Sequence, residues 1–417
     1  MGLQNQFTQD SGRTNKLRES KYHLFVHDDW RVAPRLTVNL GLRWEPKLPP
    51  IDRLNNLVGF VAGQQSTVAP KAPLGLVYPG DKGIGDELFP RDLNNFAPRI
   101  GFAYDVFGNG KTVVRAGYGV FFIDPALTIY TRTVSTQPGT TVDYIYPANV
   151  VPSFTDPYAL IPGGNPFPRA RVQPSEFGAY NYILPVSGGV LDPNARTGYS
   201  QNWNLTLEHQ VSRDLAISAA YIGNLGVKIL AARLLNQAVN NVRIYPGIGN
   251  MEVATNFQSS NYHSLQFTAT KRAAKGLTLL GTYVWSKNID NGSATVEGGG
   301  FYPRDSFNER RDRGPSDFDI THRVNISFVY DIPNVGSNPF AKAIINNLAI
   351  QRNLRGQQRS AIHDQSGTNR SASQVNQDNA DQLTASPRLA TTATRPNTLR
   401  RFQPISSSPP LPALLAT

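Results

Sequence analysis

Three short stretches of this 417-residue chain bring potentially reactive side chains close together. The first holds His23, His27, Asp28 and Asp29, the densest set of metal-ligand types in the sequence. A bound ion needs several such groups converging on one point at about 2 Å. On an extended strand His23 and His27 share a face but stand about 13 Å apart along the strand, so a polar strand end at a lumen or rim is expected instead. The second, Gly108-Asn-Gly-Lys-Thr112, is reminiscent of a phosphate-binding loop. That pattern requires a glycine five residues before Gly110, where this chain has Asp105, and it must open a helix. Asn109-Gly110 is therefore read as a hairpin turn. The third, Asp317-Phe-Asp-Ile-Thr-His-Arg323, offers an acid, a base and a cation. Catalysis needs an activated nucleophile or a positioned acid–base pair beside them, and no activated Ser or Cys lies nearby. A loop-to-strand junction with its charges toward an interior is expected. No catalytic, cofactor-binding or metal residue is assigned, and ligand contacts are not legible.

Composition narrows the class. Charged residues make up 17% of the chain, below the roughly 25% of soluble domains. The 35 Gly and 31 Pro favour many turns, and the 17 Tyr and 20 Phe suit strands. With no cysteine, a disulfide scaffold, a cysteine zinc site and a thiol nucleophile are all excluded. The net charge of +11 would suggest nucleic acid, but eight Arg and three Asp after residue 350 supply much of it. No basic stripe with stacking aromatics remains in the rest, so no nucleic-acid partner is expected. No run of about 18 apolar residues is present to span a membrane as a helix.

The elements that must position these side chains are strands. Leu36, Val38, Leu40, Leu42 and Trp44 alternate with Thr37, Asn39, Gly41 and Arg43, which on a strand makes one apolar and one polar face. The same period recurs at Tyr22–Val26, Ile100–Tyr104, Val114–Phe122, Trp203–Leu207, Leu215–Tyr221, Leu265–Ala269, Leu277–Trp285 and Val324–Tyr330. About nine strands result, each near the nine to eleven residues that a tilted strand needs to cross a bilayer.

Their links alternate in length. Short ones run Arg31 to Arg35, Phe107 to Lys111, Ser212 to Asp214 and Arg272 to Gly276; long ones run Glu45–Asn95, Ile123–Ser200, Gly223–Asn261 and Lys287–Thr321. Long external loops and short periplasmic turns are the pattern of a transmembrane β-barrel. Trp30, Trp44, Tyr104, Trp203, Tyr262, Trp285 and Tyr330 fall near strand ends, where a membrane interface favours amphipathic rings. The fold class expected is all-β: an antiparallel transmembrane β-barrel, partial, of about nine to ten strands. A polar N-terminal segment, 1–20, precedes the partial barrel at 21–350; residues 351–417, polar and without alternation, are expected to be a disordered or non-native tail. The first twenty residues lack the apolar stretch of a leader, so for an exported protein Met1 is not expected to be the natural start.

The segments Phe25-Val-His-Asp-Asp-Trp-Arg-Val-Ala-Pro-Arg-Leu-Thr-Val-Asn-Leu-Gly-Leu-Arg-Trp44, Asn95-Phe-Ala-Pro-Arg-Ile-Gly-Phe-Ala-Tyr104, Val114-Arg-Ala-Gly-Tyr-Gly-Val-Phe-Phe122, Trp203-Asn-Leu-Thr-Leu-Glu208, Ala220-Tyr-Ile-Gly-Asn224, Tyr283-Val-Trp-Ser-Lys287 and Asp317–Arg323 resemble, in order and spacing, the C-terminal barrel of TonB-dependent receptors of the Oar-like group. The resemblance covers about residues 20–345. It implies a fragment of a 22-stranded barrel with an N-terminal plug, in the bacterial outer membrane, driven in the full-length parent by an inner-membrane energy-coupling complex. The resembling segments are all barrel segments, so the plug and its energy-coupling box are expected to belong to the full-length parent. The implied function is import of a ligand, a siderophore, an oligosaccharide or a peptide, without enzymatic activity. The alternative is a surface-exposed or secreted β-structured binding or adhesion module. A soluble carbohydrate-active enzyme is disfavoured because no convincing carboxylate pair stands out.

Overall fold

The computed structural model describes residues 15–125, 127–133, 172–182, 184–240, 242–274, 276–293, 303–332 and 349–358, with the backbone pairing of 6–9 and 142–145. Ten strands form the wall: β1 Leu24–Ala33, β2 Leu36–Trp44, β3 Phe96–Asp105, β4 Thr112–Phe122, β5 Tyr199–Gln210, β6 Leu215–Leu234, β7 Ile248–Ala274, β8 Leu277–Asp290, β9 His322–Asp331 and β10 Ala349–Gln357. Each pairs antiparallel with its neighbours in sequence, giving the continuous order β1 to β10. The outer edges of β1 and β10 have no ladder partner among the described residues.

Antiparallel neighbours put paired residues on the same face, so register sorts the side chains. Val38 pairs with Trp30 and Phe102, and Leu205 pairs with Ala116 and Tyr221. One face is apolar across the wall and open: Leu40 is 42% exposed, Phe102 38% and Leu205 51%. Soluble monomers rarely leave so broad an apolar surface uncovered. Leu36, Leu40, Phe102, Leu205 and Phe328, which a soluble protein would bury together, are all absent from its core.

The core lies elsewhere. β6 and β7 run for 20 and 27 residues, far beyond what a bilayer requires, and their far halves carry a folded body on the long-loop side. Here Val58, Leu76, Tyr78, Phe177 and Met251 are fully buried in one cluster. Leu57, Val77, Leu191 and Tyr130 fill a second. Short strands knit them: Val186–Leu191 pairs parallel with β7, and Gly59–Phe60 joins it to Leu76–Val77.

Two expectations change. Gly223–Asn261 is not a long loop, because both strands continue through it and the link shortens to residues 235–247. A bulge around Gly226–Ile229, with Lys228 at φ +53°, breaks the alternation there. Beyond it both faces pack, so Ala231 and Ala232 are both buried and period 2 disappears. The expected tail boundary at 351 also moves, since β10 continues the wall to Gln357. Its alternation is faint because Arg352 sits between Ile350 and Leu354 on the apolar face. The remainder of that tail, 359–417, lies outside the described residues. The polar segment 1–20 is tied in where it is described: residues 6–9 pair with 142–145, and Leu17–Arg18 with Ile51–Asp52.

Candidate functional site: the wall faces and the outer body

The seven candidate interface aromatics separate by face and by height. Trp30, Trp44, Tyr104, Trp203, Trp285 and Tyr330 all lie on the apolar face. Trp44, Trp203 and Trp285 stand toward the long loops; Trp30, Tyr104 and Tyr330 stand toward the short turns. Along β2, Leu36 (paired with Tyr104) and Trp44 are eight residues apart, about 27 Å at strand rise. That is comparable to the roughly 25 Å apolar band of outer-membrane barrels. Trp44 stacks on Phe96 at 6.4 Å, and its indole Nε1 donates to the Leu93 carbonyl at 2.7 Å. Trp203 lies against Gly223, where an added Cβ would come within 2.2 Å of the ring. Histidines on this face are satisfied by hydroxyls of neighbouring strands: Tyr221 with His263 at 2.7 Å, and Tyr283 with His322 at 2.8 Å.

Tyr262 does not join the other six. It pairs with Asn224 and Asn288 on the opposite, polar face. The period-2 rule itself separates it from Leu265 and Phe267, three and five positions away.

Register draws one continuous row on that polar face: His27, Gly41, Arg99, Gly119, Asn202, Asn224, Tyr262 and Asn288, one residue per strand. Below it run Asn39, Gly101, Gly117 and Asn204. The glycines leave a trough of about 340 Å³. Arg99 lies over the Phe121 ring at 4.7 Å on one side; Asn202, which accepts from Asn224, flanks the other. An aromatic plane, a guanidinium and several amides can hold polar, hydroxyl-rich or carboxylate-bearing groups, but nothing there is poised for bond-making chemistry.

The three stretches singled out for chemistry resolve into structure. His27 Nε2 is 3.0 Å from Asp29, and no group of three or more metal-ligand side chains occurs among the described residues. Gly108 and Gly110, at φ +72° and +71°, donate their amides to Asp105 at 2.9 and 2.8 Å, so that segment is a turn. Within Asp317–Arg323, Asp319 accepts from Lys287 and from the Asn288 amide at 2.7 Å. Only part of the expected inward placement holds, since His322 pairs with Trp285 on the apolar face while Arg323 lies on the polar one.

In the outer body the organising group is Asp81, only 3% exposed. It accepts from Ser66 Oγ at 2.7 Å, Thr67 N at 2.7 Å, Thr67 Oγ1 at 2.9 Å, Val68 N at 3.0 Å and Tyr78 N at 2.8 Å. Burial pushes its carboxyl up, but these donors outweigh it and hold the pKa below the usual carboxylate range. Burial drives the Tyr78 phenol well above its ordinary value. It stays protonated and shares a hydrogen bond with Tyr182 at 2.8 Å.

No curated protein sequence matches the chain. Among solved structures it is similar to the alcaligin outer membrane receptor FauA from Bordetella pertussis (13% identity, TM-score 0.36, 81% of this chain and 37% of that one). It is also similar to the outer membrane transporter YddB from Escherichia coli (12%, 0.41, 78% and 35%) and to the FrpB iron transporter from Neisseria meningitidis (12%, 0.36, 75% and 31%). The chain spans about a third of the length of these structures. The family described as outer membrane beta barrel domain matches residues 1–408; with its antiparallel meander and uncovered apolar face, the chain belongs to that family and its wall sits in the bacterial outer membrane.

Proposed function

We propose that the chain supplies wall and outer body of a TonB-dependent receptor that captures a ligand outside the cell and imports it. The observation that carries this is the unbroken passage of β6 and β7 from the lipid-facing wall into a body with its own core. Such a body gives a rigid external surface joined directly to the wall, which a passive pore does not need. The row from His27 to Asn288 then faces the lumen, a polar path for a siderophore, an oligosaccharide or a peptide. The six aromatics of the apolar face anchor the wall at the two interfaces, and energy comes from the inner-membrane coupling complex acting on the full-length parent.

Outer-membrane fractionation and heat-modifiable migration of the parent test the wall. Uptake of labelled ferric siderophores, oligosaccharides and peptides, with and without a protonophore, tests import. Accumulation of one class that the protonophore abolishes is expected. Surface binding without accumulation would refute import and leave a binding module.

A further inference from the structure

One guanidinium on the polar face stands without a polar partner. Arg99 of β3 is exposed and makes no ion pair or hydrogen bond among the described residues. What holds it is the Phe121 ring, whose centre lies 4.7 Å from the guanidinium carbon. Stacking on an aromatic face fixes the plane of an arginine and leaves its N–H edges open. Gly119 pairs with Arg99 across the ladder and makes room for the stack, since an added Cβ would come within 3.0 Å of the ring.

Arg99 and Phe121 both line the trough of about 340 Å³, and no Asp or Glu is among its lining residues. Asn202 accepts from Asn224 through its oxygen, so its Nδ2 is left to donate. Asn204, without a hydrogen bond among the described residues, lines the trough beside it. Two acids of the same face are already engaged. Asp29 accepts from Asn39 and lies 3.0 Å from His27 Nε2, and Glu208 lies 3.5 Å from Arg115. Ile100 and Tyr118, paired with each other, point the opposite way toward lipid, so the trough is backed by one sheet and then hydrocarbon. A low-dielectric wall concentrates the field of a charge in a cleft.

A guanidinium that nothing answers, set beside amide donors, matches a carboxylate. That group takes two parallel N–H bonds from an arginine, and its outer lone pairs can accept from the amides. Arg99 is the only Arg or Lys among the lining residues, which suits one negative charge better than the two of a phosphate. Neutral hydroxyls would leave the cation unanswered.

We infer that the ligand passing this wall carries a carboxylate and that Arg99 is its seat, with Asn202 and Asn204 as further donors. The inference rests on the polar face lining the path of import. It narrows the three ligand classes to their carboxylate-bearing members.

The test titrates the full-length parent, in phosphatidylcholine bilayers, with galacturonate or with galactose, which has a hydroxymethyl group in place of the carboxylate. Binding is read by saturation-transfer NMR. Galacturonate should bind at least about tenfold more tightly, because a charge-assisted pair is far stronger than a neutral one. Arg99→Gln should weaken galacturonate about tenfold to a hundredfold. Arg99→Lys, which keeps the charge but not the fork, should recover part of that loss. Arg355→Gln removes an equal charge from the same face of β10, seven strands along the wall, and should change the affinity by less than about twofold. Heat-modifiable migration shows whether each variant has folded, and the comparison of the two sugars needs no variant. Equal binding of both sugars, binding of neither, or an Arg99→Gln effect no larger than that of Arg355→Gln overturns the inference. Tighter binding of galactose 6-phosphate than of galacturonate overturns the choice of carboxylate. Failure of import is told apart: a parent that holds galacturonate through Arg99 yet accumulates no ligand keeps the seat and sinks the transport reading.

Discussion

Replacing Asp81 by alanine should open the outer body while leaving the wall intact. The carboxylate takes five hydrogen bonds, three of them from the backbone amides of Thr67, Val68 and Tyr78. Ser66 Oγ and Thr67 Oγ1 can rotate to other acceptors, but the amides are fixed by the chain. An amide stranded in a buried site costs about 1–3 kcal/mol. With partial relaxation, the three together set the loss near 3–5 kcal/mol. Local opening then becomes about 10² to 10⁴ times more frequent, and amide hydrogen exchange across residues 57–89 should accelerate by that factor. Exchange within β3 and β4, and heat-modifiable migration, should not change. Acid gives an independent check. The folded pKa of Asp81 is depressed, so its contribution is complete above the unfolded value of about 3.9. It is lost as pH falls through the folded pKa. Asp81→Asn should show little of this acid sensitivity. Exchange of residues 66–81 in Asp81→Ala within tenfold of the parent would refute the assignment of Asp81 as the hub.

Three further outcomes follow from register. Leu205→Arg, on the apolar face, should cost about 2–4 kcal/mol in urea refolding into bilayers, whereas Asn204→Arg on the polar face should change stability by less than about 1 kcal/mol; equal costs would contradict the facing. Gly223→Ala should displace Trp203, whose ring lies 2.2 Å from the added Cβ, costing about 1–3 kcal/mol and shifting tryptophan emission; an unchanged spectrum would show that the ring does not lie there. A tryptophan introduced by Tyr262→Trp should escape quenching by brominated lipid, while Trp285 is quenched. Quenching at both positions would return Tyr262 to the lipid side.

The wall was legible because lipid and lumen impose opposite demands on alternate residues. Leu36 to Trp44 reads as a strand with faces because no neighbouring layer covers either side. Where that condition fails, the pattern fails with it. Residues 229–234 and 248–258 pass into the outer body and pack on both faces, so they carry no period and read as loop. β10 is legible only faintly, because Arg352 interrupts its apolar phase. Asp81 was half visible. Tyr78-Pro-Gly-Asp81 is a turn signal, with proline second and glycine third, and Gly80 takes φ +98° while Asp81 N donates to Tyr78 O at 3.0 Å. Apart from the Tyr78 amide, the donors to its carboxylate come from 13 to 15 residues away, and no local pattern announces them.

Two solvents act on one chain, and each section answers its own. In the wall, stability comes from closed backbone ladders, since an unpaired amide in hydrocarbon costs several kcal/mol; large side chains there need no protein neighbour, and Leu205 remains half exposed. In the outer body water is the competitor, so burial and buried hydrogen bonds take over, as around Tyr78 and Asp81. The two regimes meet within single strands, near the bulge at Gly226–Ile229 of β6. The same reasoning bears on the edges of β1 and β10 that carry no ladder partner among the described residues. Their unpaired ladder groups would face hydrocarbon if left alone, and lipid does not tolerate such edges. A bilayer therefore calls for a closed sheet around such a wall, whereas the core around Tyr78, which is built partly on β7 through Ile248, Met251 and Val253, is packed by protein neighbours.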